Sequence, residues 1–317
     1  MSEQTVEPDG QQTLDWEAAN RTKGVVAAIV GGIFVVLPTI YIGLSGVNSD
    51  APEVGPLQAL TPALSGQFAA ERNPRVGLIE YWADHSVPAI LAGVMLALSM
   101  VGIAYVLWYL FHATRARRPE LPAFARWLAI LGPICMGLSS ILVPLFRYLG
   151  ANAFDIADAG SRSAVDTALG GSPVLIAAVI GLVGQLSLAL AFVLISLNAM
   201  RVGLLTQFMG IIGIIVGALY VFQVGPAPIL QAFWLLALVP LFLHRWPGGG
   251  GTPAAWTRGV AVPWPTAAER RAAMQPATAS GPKNGGGGAS SDLADDAADP
   301  RPAPNRPQHT SRKRRKR

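Results

Sequence analysis

The sequence predicts an all-α, polytopic membrane bundle of about six transmembrane helices, followed by a disordered C-terminal tail. Three observations carry that expectation. Six apolar stretches, at 25–46, 87–111, 127–149, 173–197, 204–222 and 229–244, have no Asp, Glu or Lys in their interiors. Hydrophobic residues make up 51% of the 317 and charged residues only 14%, against about 25% charged in a soluble domain. The charge that exists is pushed to the two ends and the loops, dividing the chain into a polar segment 1–23, a membrane domain 24–246 and a tail 247–317.

Each stretch is judged by length. A hydrocarbon core about 30 Å thick needs roughly 20 helical residues rising about 1.5 Å each. Five stretches meet or nearly meet this; the sixth, 229–244, is short and directly follows Pro226 and Pro228. The first stretch is longer than the roughly 7–15 residues of a signal-peptide core. Its leader carries five acids, so it reads as an uncleaved helix. Pro38, Pro133, Pro144 and Pro240 fall inside stretches, where membrane helices tolerate the missing donor if neighbours satisfy the freed carbonyls.

Loop charge predicts orientation, because cytoplasmic loops retain Lys and Arg. His112, Arg115, Arg117, Arg118 and Arg126 lie between the second and third stretches, and Arg201 lies in a tight turn between the fourth and fifth. Arg21, Lys23 and Arg245 flank the domain on the same expected side. Loops 47–86 and 150–172 are richer in acid, and the turn 224–228 is uncharged. Both termini are therefore expected in the cytoplasm of a bacterium, with the domain in its cytoplasmic membrane. Trp108, Trp127 and Trp246 at one level and Tyr81, Trp82 and Tyr148 at the other fit interfacial aromatic belts.

Helix association in lipid relies on close packing of small residues. Gly210, Gly213 and Gly217 place such residues on one stripe of the fifth stretch, with Gly203 seven residues before Gly210. The stripe reads either as a contact with a neighbouring helix of the same chain or as a seam for self-association or another membrane protein.

Ionisable groups at membrane depth mark pumps and ion-coupled transporters, and the centres of these stretches have none. Gln185 is the clearest mid-depth polar residue; it reads as an interhelical hydrogen bond or a ligand contact. Asn198 and Arg201 form a second polar pair at the helix boundary, suited to capping or to a phosphate. Ser139 and Ser140 can bond their own helix carbonyls. Arg147, near the outer end of the third stretch, either snorkels or meets an anion. Cys135 is the only cysteine, and the four histidines have no metal-ligand spacing. No nucleophile–base pair stands out. No catalytic residue, cofactor or metal is expected.

In the loops, Leu57, Leu60, Leu64 and Phe68 suggest an interfacial or re-entrant helix interrupted at Asn73–Pro74. Asp155 and Asp158 are three apart, which on a helix would share one face. In the tail, Gly, Pro and Ala dominate, a composition that cannot bury enough apolar surface to order. It ends in Arg312, Lys313, Arg314, Arg315, Lys316 and Arg317. Each base near an anionic leaflet gains about 1 kcal/mol, so membrane lipid is the expected partner and nucleic acid the less favoured one.

One pattern spans the later membrane domain and early tail. It comprises residues 197–210 around Asn198, Arg201 and Gly203, then Phe233-Trp-Leu-Leu-Ala-Leu, then Arg245-Trp-Pro-Gly-Gly, and then 255–265 with Trp256 and Trp264 between prolines. It resembles an uncharacterised group of multi-pass membrane proteins of high-GC actinobacteria. The resemblance implies topology and host and no activity. Trp256 and Trp264 are expected to return to the membrane and pin the tail to the headgroups. Function is expected to be non-enzymatic, as a scaffold or accessory membrane protein with a lipid-binding tail. The alternative is a transporter or permease for an uncharged or amphipathic solute, with Gln185 on its path.

Overall fold

The computed structural model describes residues 8–45, 75–155, 161–222, 227–245 and 253–264. All belong to one compact unit, Met1–Pro265. The second unit, Thr266–Arg317, lies outside the described residues, as do the expected basic terminus, Asp158, Trp246 and the apolar positions from Leu57 to Phe68.

Among the described residues the fold is all-helical: α1 (Pro8–Leu44), α2 (Val76–Asp84), α3 (Ser86–Arg117), α4 (Phe124–Asn152), α5 (Arg162–Gly170), α6 (Ser172–Arg201), α7 (Gln207–Phe222), α8 (Ala227–Phe242) and the single turn α9 (Ala255–Arg258). Four helical segments, Gly10–Leu44, Ser86–Arg117, Phe124–Asn152 and Ser163–Arg201, are long and apolar enough to cross a membrane. The stretches at 204–222 and 229–244 form the shorter apolar helices α7 and α8, of 16 residues each, about 24 Å at ~1.5 Å per residue.

Local chemistry sets the ends. α3 stops where Arg118 turns extended (φ −142°, ψ 88°), because Pro119 disfavours a helical residue before it. α6 starts on Gly171 with proline in its first turn, the position where the missing donor costs nothing. It ends in a Schellman motif: Gly203 has φ 79°, its N–H goes to Met200 O (3.1 Å), and the Leu204 N–H goes to Ala199 O (2.9 Å). Gly203 thus closes α6 and is not on the α7 glycine stripe. α7 begins after Thr206, whose Oγ1 accepts the Met209 N–H at 3.2 Å. Pro38, Pro133, Pro144 and Pro240 all sit inside continuing helices. The expected common helical face for Asp155 is corrected, since α4 has already ended at Asn152.

The six larger helices close into a ring: α1 on α3, α3 on α4, α4 on α6, α6 on α7, α7 on α8 and α8 back on α1, with α3 also meeting α6. Small residues let the backbones approach. A Cβ on Gly102 would lie 2.5 Å from Ala27 O of α1, and one on Gly184 2.5 Å from Met136 N of α4. Ser99 Oγ donates across the first seam to Gly31 O at 2.9 Å. The core is aromatic and aliphatic. Trp234 is fully buried, meets Phe192 edge-on at 5.2 Å and donates its indole N–H to Met209 O at 2.9 Å. Outward faces are equally apolar: Leu175, Val179, Leu182 and Leu186 of α6 are each at least half exposed. Water would not tolerate so continuous an apolar surface. Long apolar helices with apolar outer faces make this a membrane-embedded architecture.

Candidate functional site

Two constellations stand apart from general packing, at opposite ends of α3. The first is built around Arg117 in the last turn of α3. Its guanidinium donates to both carboxylate oxygens of Glu17 on α1, with Nη2–Oε2 at 3.1 Å. The two side chains are 0% and 1% exposed. Nη1 also donates to Ala113 O (2.9 Å), and Nη2 to Ala255 O (2.7 Å) in the segment after α8. The guanidinium carbon lies 5.8 Å from the ring centroid of Trp256, within cation–π range.

Trp256 is the keystone of this end. It is 1% exposed, stacks on Tyr109 at 6.0 Å, meets Phe242 edge-on at 5.9 Å and donates its N–H to Leu204 O at 2.8 Å. Trp264 donates to Leu205 O at 2.8 Å, and the Val262 N–H to Val202 O at 3.0 Å. The expectation that the Trp256 indole meets the headgroups is therefore corrected, since that ring is enclosed by the bundle, whereas Trp264 keeps part of its ring exposed. Both N–H groups go to backbone carbonyls of the α6–α7 connection, and residues 253–264, which the sequence reading assigned to the tail, pack on the bundle. Gly203 and Gly259, both with positive φ, permit the fit. A Cβ on Gly203 would collide with Val262 O, and one on Gly259 with Gly10 O. Trp16 extends the cluster, 5.6 Å from both Tyr109 and His112.

The second constellation is a partly open cavity of about 550 Å³ between α1, α2, α3 and α4. Its floor is a close seam between α3 and α4. A Cβ on Gly93 would collide with Ser140 O, and Ser140 Oγ donates to Gly93 O (2.9 Å) and Gly137 O (2.7 Å). Pro144 lacks the N–H that would otherwise take the Ser140 carbonyl. Pro144 itself lines the cavity, as does Pro38 of α1. At the rim, Arg147 lies over the Trp82 ring, 4.9 Å from its centroid. No carboxylate among the described residues pairs with Arg147. Tyr81 stacks on His85 at 4.5 Å and meets Trp82 edge-on. A small outer cluster of Val76, Ile79, Ala151, Val165 and Ala168 lies beside this end, and Arg75 bridges to Asp166 at 2.9 Å.

The residues singled out from sequence fall elsewhere. Gln185 is buried and donates to the Tyr220 backbone carbonyl of α7. Gln231 of α8 donates to the hydroxyl of the same Tyr220, so one tyrosine joins three helices; nothing in the local sequence around Gln231 marks it for this role. Asn198 donates one turn back to Leu194 O at 2.8 Å. Arg201 is exposed. Neither approaches the cavity. Gly210, Gly213 and Gly217 face α6: an added Cβ would meet Met200, Ser196 and Ala189 respectively. That face is occupied within the chain. Among the described residues no group of three His, Cys, Asp or Glu could hold a metal.

The Glu17–Arg117 pair and the Trp256 socket escaped the sequence reading because each joins distant segments. The only local signals were an acid inside an otherwise solvated leader and a tryptophan in a Gly/Pro-rich tail. No family model matches the chain, and neither the curated proteins nor the solved structures contain a significant match to it.

Proposed function

We propose that this is a six-span integral protein of a bacterial cytoplasmic membrane that acts without catalysis, as a scaffold or accessory subunit, with both termini in the cytoplasm and a basic terminus held by anionic lipid. In this reading α7 and α8 complete the six spans as short helices supported by their neighbours. The observation that carries it is the use of Gln185. The mid-depth amide is spent on Tyr220 O, tying α6 to α7, and Phe192 of α6 stacks on the ring of the same Tyr220. Interior polarity serves helix association, which favours a rigid body over a path.

Arg115, Arg118, Arg201 and Arg245 flank the helix ends that converge where α1 begins, which supports the cytoplasmic assignment of that end under the positive-inside rule. The permease alternative receives less support, because Gln185 is not among the residues lining the cavity.

Chemical cross-linking with mass spectrometry in native membranes tests the proposal. A stoichiometric protein partner is the expected result. Substrate-dependent uptake into proteoliposomes that is lost in Gln185→Leu would overturn it in favour of transport.

A further inference from the structure

We infer that the cavity between α1, α2, α3 and α4 is a binding site for a single-chain anionic amphiphile of the long-chain fatty acid class, with its carboxylate on Arg147. The inference goes beyond the scaffold reading and does not depend on it.

The shape comes first. About 550 Å³ lies within the roughly 300–1,000 Å³ typical of small-molecule sites. The lining on α4 runs from Met136 to Arg147, about 16 Å at ~1.5 Å per residue, so the space suits an elongated occupant. Its walls are apolar. Of its two serine hydroxyls, that of Ser140 is already bonded to two carbonyls, and the rest of the inner lining is mostly apolar. Its face of α3, carrying Ala89, Ala92 and Leu96, is opposite the lipid-facing row of Leu91, Val94 and Leu98. The cavity therefore lies on the side of α3 turned away from that lipid-facing row.

The charge comes second. Arg147 is the cation of this lining, half-buried, carried on an apolar helix and without an acidic partner among the described residues. An arginine in such a segment is costly unless it pairs or serves a ligand. Trp82 holds its guanidinium at the rim, leaving the planar edge free for a carboxylate fork. One charge at one end of one apolar slot complements one anionic head on one chain. A two-chain phospholipid would leave its second chain unhoused.

The test uses the full chain in phosphatidylcholine vesicles and a diazirine-bearing palmitic acid analogue as photoprobe, with adducts mapped by mass spectrometry. Adducts should concentrate on the α3 and α4 peptides that line the cavity. Oleate should compete and oleyl alcohol should not. Arg147→Gln should lower the yield by about tenfold, and Arg147→Lys, which keeps the charge but loses the planar fork, should lower it less than Gln does. Ala89→Phe, which fills the slot without touching the charge, should also block labelling. Adducts spread evenly over the outward faces would overturn the inference, as would equal competition by the alcohol or undiminished labelling of Arg147→Gln. Competition by phosphatidylglycerol as effective as oleate would also defeat the fatty-acid assignment.

Discussion

Arg117 and Glu17, one hundred residues apart, form a fully enclosed two-point ion pair that joins the end of α3 to the start of α1. The same guanidinium holds the carbonyl of Ala255 and lies over Trp256. A single side chain therefore fixes three segments that are far apart in sequence. Its remaining donor, Nε, has no partner, so the pair depends on the contacts it does make.

Breaking one half of that pair should be worse than removing both. Truncating one partner of a buried ion pair strands a charge, at about 3–5 kcal/mol, whereas apolar replacement of both is often near neutral. Glu17→Gln and Arg117→Met should each lower the unfolding midpoint in detergent markedly, and the double variant should recover much of the loss. Strictly additive losses would show that the two residues are not coupled.

Gly203 is asked to do two things at once. It adopts the left-handed conformation that ends α6, and it leaves room for the Val262 carbonyl. Gly203→Ala should therefore cost more than the roughly 1 kcal/mol expected of a positive-φ glycine alone. It should also release residues 253–264, read as faster proteolysis after Arg258. Unchanged cleavage would mean that the segment is held without this contact.

The helices were legible in the sequence because hydrophobic runs of this length report one solvent preference. The runs 87–111 and 173–197 lie wholly inside α3 and α6. What packs against what was not legible. Glu17 read as part of a solvated leader, yet α1 is already helical at Pro8 and carries that acid into the bundle. Trp256 read as an interfacial ring because indoles favour headgroups. A carbonyl exposed at the end of α6 offers the same N–H an acceptor inside the protein. Arg147 was visible as a cation near a helix end, but three other helices complete its cavity. Local pattern contains no information on those partners.

The glycine face of α7 predicts a loss of fold, not of assembly. Gly213→Val would drive a side chain into Ser196 and the Trp234 indole. Stability should fall by the 1–3 kcal/mol typical of overpacking, while the oligomeric state measured by light scattering in mild detergent stays as in the parent. Gln185→Leu should cost about 0.6–2 kcal/mol, the range for an interhelical hydrogen bond in a membrane. A dissociated but equally stable Gly213→Val protein would instead identify that face as an intermolecular seam.

The six bases from Arg312 to Arg317 should bind anionic surfaces in proportion to charge. A peptide of this terminus should co-sediment with vesicles containing phosphatidylglycerol and remain in solution with neutral ones. Binding should weaken steeply as salt shortens the Debye length from about 10 Å at 0.1 M to about 3 Å at 1 M. Equal binding to neutral vesicles would remove lipid charge as the cause.

Orientation can be read chemically, provided that the probe site is open. Arg117 is unsuitable because its side chain is enclosed, whereas Arg115, two residues earlier, is exposed and Asp155 is exposed beyond the other end of α4. In a Cys135→Ala background, which removes the only native thiol, cysteines placed singly at these positions report on opposite ends of the bundle. With Arg-rich ends retained inside, a membrane-impermeant maleimide should modify Asp155→Cys in intact cells and Arg115→Cys only after permeabilisation. The reverse pattern would invert the topology, and equal reactivity of both in intact cells would mean that α4 does not separate two aqueous compartments.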